Sequence, residues 1–115
     1  MICDDEYNAL IKATEKLYEI YYQQETSDIQ FSNALKMAQS DLISAGLSRL
    51  INASPAEIIY SLDENPEKEF GLLHEAAKTK SQVDVTVVAA EESYRYASQR
   101  YDECLKEKTD EVKNS

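Results

Sequence analysis

The chain offers one histidine, His74, and two cysteines, Cys3 and Cys104, so acid–base or nucleophilic chemistry would have to be built from very few groups. General acid–base catalysis needs a titratable side chain held by an orienting partner, and histidine is the usual choice. His74 follows Leu73 in a segment of helical spacing and reads as a half-buried or surface histidine. No G-x-S-x-G turn, no glycine-rich phosphate loop and no local Cys–His arrangement occurs in the sequence. A di-metal carboxylate bundle would carry Glu three positions before its histidine, and that position is Gly71. Asp63-Glu64-Asn65 lacks the glycine and ligand spacing of an EF-hand and reads as a solvated turn. The cysteines stand at opposite ends of the chain without C-x-x-C spacing, so the expectation is two reduced thiols and neither a disulfide framework nor a zinc site. These residues point to a non-enzymatic protein with no catalytic residue, no cofactor and no metal.

What the sequence has in quantity is tyrosine and carboxylate. There are eight Tyr against two Phe and no Trp. Tyr18, Tyr21 and Tyr22 cluster in the first third of the chain, and Tyr94, Tyr96 and Tyr101 towards its end. Tyr7, Tyr21, Tyr94 and Tyr101 fall on apolar stripes and read as core rings with hydroxyls at a wet rim. Tyr22 and Tyr96 fall off the stripes and are the candidate partner-binding rings, because tyrosine is enriched at interface hot spots. Acidic residues gather at Asp4 to Glu6, Asp63 to Glu69, Glu91-Glu92 and Asp102 to Glu111. The ordinary reading is a solvated surface, supported by interspersed Lys. The sharper one adds Glu91, Glu92, Asp102 and Glu103 to the partner-binding set, as acidic rows that imitate the phosphates of DNA in the cleft of a nucleic-acid enzyme.

Charge sets the exclusions. With 22 acidic and 12 basic residues the formal net charge is -10, which opposes affinity for phosphate backbones and anionic lipid. Leu47 to Leu62 loosely resembles a repressor-type helix-turn-helix, but its second helix, Ser54 to Asp63, has no Lys or Arg to read bases or hold phosphates. No window approaches eighteen apolar residues and Met1 to Glu6 has no basic or apolar leader, so a cytoplasmic protein without membrane attachment is expected.

The elements that would position these residues are helices. Only two Gly and two Pro occur, and 43% of the residues are hydrophobic, so tight turns are scarce and a core is available. Tyr7, Leu10, Thr14, Leu17 and Tyr21 recur at spacings of three and four and predict a helix over Asp4 to Gln24, with Asp4, Asp5 and Glu6 favouring its positive end. Ser27 and Gln30 read as a capping box opening a second helix through Phe31, Ala34, Leu35, Ala38 and Leu42, with a bend or break at Gly46. Ser54-Pro55-Ala56-Glu57 is a second box, opening a short helix that stops near Asp63. Asn65-Pro66 repeats the start signal for a last helix.

Within that last helix, Val83-Asp84-Val85-Thr86-Val87 alternates like a strand, yet no other run could pair with it. Leu73, Ala76, Lys80, Val83, Val87, Ala90, Tyr94, Ala97, Tyr101 and Cys104 instead form a coiled-coil-like seam, broken only by Lys80. Acid-before-base pairs, Glu91 with Arg95 and Asp102 with Lys106, support the helix. It would run from Pro66 to Thr109, roughly 44 residues and about 65 Å.

The sequence therefore predicts an all-α fold, a small bundle or helical hairpin with a short corner helix and a long C-terminal helix. One domain spans 1–109, and 110–115 form a frayed tail. The expected function is a protein-binding adaptor or inhibitor, of the kind found in phage and mobile elements, that occupies a partner protein's surface. A DNA mimic, a homo-oligomeric structural subunit and a helix-turn-helix regulator are the alternatives. Pairing of two copies through Val83, Val87, Ala90, Tyr94, Ala97 and Tyr101 would give a homodimer.

Overall fold

A computed structural model describes residues 2–64 and 66–114, and the fold is all-α, with no strand among them. Three helices carry it: α1 over Asp4–Ser44, α2 over Pro55–Glu64 and α3 over Gly71–Asn114. Short 3₁₀ turns at Ser48–Asn52 and Lys68–Phe70 lead into α2 and α3. The Val83 to Val87 run is helical, as the seam pattern predicts. α3 begins at Gly71 instead of Pro66 and continues through Asn114, past Thr109. Asn65, expected to cap it, and Ser115 lie outside the described residues.

One expected boundary is absent. The first two predicted helices are a single helix, α1, and the Ser27–Gln30 box opens nothing. No Gly or Pro stands between Gln24 and Phe31 to stop the helix, and the hydroxyls turn back along it. Ser27 Oγ donates to the carbonyl of Gln24 at 3.0 Å and Thr26 Oγ1 to that of Tyr22 at 3.1 Å. Ser27 is buried, so its hydroxyl is satisfied inside α1.

The break at Gly46 is real and has a defined form. Gly46 adopts φ +75°, its N–H donates to Ile43 O at 3.1 Å, and Leu47 N–H donates to Leu42 O at 2.8 Å. That pair of bonds is a Schellman closure, which needs a left-handed residue and so favours glycine. The predicted cap of α2 also forms, with Glu57 N–H donating to Ser54 Oγ at 3.2 Å.

The chain divides into two compact units. The larger, Tyr22–Val85, has a core of Ala38, Leu42, Leu50, Ile58, Leu62, Phe70, Leu73 and Ala77, drawn from α1, both 3₁₀ turns, α2 and α3. Lys80, the polar break in the seam, is held there by Asp28 at 2.6 Å and Asp84 at 3.2 Å, and Gln24 Nε2 donates to Asp84 at 3.3 Å. In the helix-turn-helix-like segment, Leu50, Ile58 and Leu62 belong to this core.

The other unit takes the chain up to Tyr21 and from Thr86 onward, a pair of antiparallel helical segments. Leu17 and Ile20 of α1 are buried, as are Val87, Ala90 and Ala97 of α3, so the chain covers this part of its own seam. The Tyr7 and Tyr101 rings meet at 5.6 Å, tilted by 50°. Beside them Cys3 and Cys104 are joined by a disulfide across 101 residues, Cα atoms 6.1 Å apart. The expectation of two free thiols is overturned. The antiparallel pairing brings the start of α1 to the late turns of α3, where Cys104 continues the seam one turn beyond Tyr101.

Candidate functional site

An α-helix that buries one stripe turns the opposite stripe outward, and what stands there is free for a partner. In the Cys3–Cys104 unit the buried stripe of α3 is Val87, Ala90 and Ala97. Val88, Glu92, Tyr96, Gln99 and Glu103, spaced by three and four, form the outward row. All five are exposed, Tyr96 to 63%. Arg100 lies over the Tyr96 ring at 5.8 Å from its centroid and donates to its hydroxyl from Nη1 at 3.3 Å. Those contacts set the ring's direction while leaving most of it bare. The ring and Arg100 border a pocket of ≈ 320 Å³ whose other wall is Asp5, Glu6 and Ala9.

The sequence-predicted residues divide on this geometry. Glu92, Tyr96 and Glu103 share the outward row, and Gln99 Nε2 donates to Glu103 Oε1 at 3.0 Å. Asp102 is exposed beside it. Glu91 is half-buried and accepts the Tyr21 hydroxyl at 2.9 Å, so it ties α1 to α3. That hydrogen bond is the main cause that raises the Tyr21 phenol above its ordinary value, with partial burial and the Glu91 charge adding to it. Tyr22 is exposed to 73%, but belongs to the other unit. Of the seam, Val83 and Tyr101 are half-buried and Tyr94 lies near the rim, 36% exposed.

Two features lie outside the sequence-predicted set. Tyr18, 68% exposed on α1 in the same unit as Tyr96, is more exposed than Tyr96 and less than Tyr22. The Cys3–Cys104 bond was the second, and the signal for it was the extension of the seam to Cys104.

His74 lies in the other unit and its Nε2 sits 2.7 Å from Asp63 Oδ1, at the rim of an open pocket of ≈ 370 Å³. That pocket is lined by Leu62, Asp63, Pro66, Glu67, Lys68, Phe70, Gly71 and His74, among which there is no hydroxyl or thiol nucleophile. The histidine–carboxylate pair joins the end of α2 to the start of α3.

Comparison with protein-family models, with curated proteins and with solved structures returns no match to this chain.

Proposed function

We propose that the chain is a non-enzymatic protein-binding module, an adaptor or inhibitor that occupies a partner protein through the outward row of α3. The observation that carries this reading is the bare Tyr96 ring, 63% exposed and oriented by Arg100, standing between Glu92 and Glu103 on one helical face. Tyrosine in such a setting brings large contact area at little rotamer cost, and flanking carboxylates select a partner with basic groups. Burial of Val87, Ala90 and Ala97 within the chain favours a foreign partner over a second copy joined through that seam. Mimicry of DNA is the narrower form of the same reading, in which Glu92, Asp102 and Glu103 stand in for phosphates.

The test is capture by the tagged chain from its native host, run in parallel with Tyr96→Ala and Glu92→Gln. A partner retained by the parent and lost from Tyr96→Ala at unchanged helicity is the expected result. Weaker capture at high salt would identify the mimic form, since exposed charge pairs are screened. Equal capture by the parent and both variants, or a homo-oligomer that captures nothing, rejects the proposal.

A further inference from the structure

Cys3, Glu6 and Cys104 bring two sulfurs and a carboxylate oxygen within 4.8 Å of one another. We propose that, once the disulfide is reduced, these three residues form a site for a thiophilic divalent cation of the zinc class. The reading stands whether or not the outward row binds a partner, although Glu6 lines the pocket beside Tyr96 and Glu103 belongs to that row.

The donor chemistry fits. Thiolate and carboxylate are both ligands of tetrahedral zinc, at about 2.3 Å for sulfur and about 2.0–2.2 Å for oxygen, which sets two sulfurs roughly 3.8 Å apart. Breaking the bond lets the sulfurs part to that spacing by side-chain rotation, with Glu6 one helical turn along from Cys3. Three protein ligands leave the fourth position to water, the pattern of an open site. The surroundings favour a dication: Asp4 and Asp5 share the first turn of α1 with Glu6, and Asp102 and Glu103 precede Cys104. Cys3 is buried, and Glu6 and Cys104 are half-buried, so the donors are sheltered yet reachable.

The redox step balances with a thiol reductant. One thiol attacks a sulfur to give a mixed disulfide and a second releases it. The products are two cysteine thiols and one oxidised disulfide of the reductant, two electrons having passed to the protein. Binding of the cation then releases the two thiol protons to solvent. In an oxidising compartment the pair is a covalent staple, and in a reducing one it is a metal ligand set.

The full chain, reduced with a phosphine, desalted under argon and titrated with Co²⁺, tests this. Expected are thiolate-to-cobalt absorption saturating at one ion per monomer, none in the oxidised chain or in Cys104→Ser, and an affinity weakened about tenfold or more in Glu6→Gln. Should reduction loosen this unit, Co²⁺ must restore the helicity lost, read by far-UV circular dichroism. The proposal fails if the reduced chain shows no thiolate band or if Glu6→Gln binds as tightly. It also fails if the oxidised chain binds equally well or if the ion joins two chains.

Discussion

Lys80 shows how one residue that breaks a pattern can define the packing around it. A lysine in an apolar seam leaves a charge to be satisfied, and here Asp28 on α1 and Asp84 one turn along α3 satisfy it at 2.6 and 3.2 Å. A single polar residue at such a position commonly fixes register, because a slip would leave the charge without partners. The hydrogen bond to Asp28 raises the ammonium above the ordinary lysine value, partial burial opposes the rise, and Asp84 adds to it. Because the folded value is the higher one, the stabilisation is fully present below the unfolded lysine value and is lost as pH rises through the folded one. Lys80→Met, which keeps the apolar stem, should cost about 1 kcal/mol near neutrality. Urea midpoints of parent and variant at about pH 7.5 and about pH 11.5 check the sign: the gap should narrow in alkali. A gap that widens in alkali would contradict the linkage.

At the level of elements, the features legible in the sequence were those written in local chemistry. The Ser54 cap, the glycine stop at Gly46 and the long helix α3 all form as their residue types predict. The Ser27–Gln30 box failed because a serine inside a helix can satisfy itself on the preceding turn as well as cap a new one. Only packing along both halves of α1 decides between these, and sequence spacing does not carry that. Likewise Glu91 looked like free surface until its position opposite Tyr21 was known. The exposure of Tyr96 could be read from spacing alone, since a residue off the stripe is exposed whichever helix covers the stripe. The seam makes a sharp prediction. Val87 is 6% exposed, so Val87→Asp combines lost apolar burial with an unpaired buried charge and should destabilise its unit by about 3 kcal/mol. Denaturation with the disulfide intact measures it, and a parental midpoint would mean that α1 does not cover α3 there.

Across the whole molecule the two units are stabilised by different means. Tyr22–Val85 draws an aliphatic and aromatic core from several elements, whereas the unit closed by Cys3 and Cys104 has two helical segments and buries mainly Leu17, Ile20, Val87, Ala90 and Ala97. Two helices alone cannot enclose a deep core, so a covalent tie has most to contribute there. Cross-linking across about a hundred residues restricts the unfolded chain by up to about 4.7 kcal/mol in the chain-entropy model, with about 2–4 kcal/mol typical. Cys3 also holds φ 65° just ahead of α1 while its carbonyl accepts Tyr7 N–H at 2.9 Å, a left-handed start that a non-glycine residue rarely adopts unaided. Hydrogen exchange on Cys104→Ser, with a chelator present to keep metals out, should therefore show protection falling by about two orders of magnitude in amides 4–21 and 86–111, which corresponds to about 3 kcal/mol of lost stability. Amides of the core helices in Tyr22–Val85 should keep theirs. Uniform loss across both would show that the chain opens as one cooperative body, and unchanged protection near Tyr7 and Tyr101 would show that ring contact and seam hold the helices without the bond.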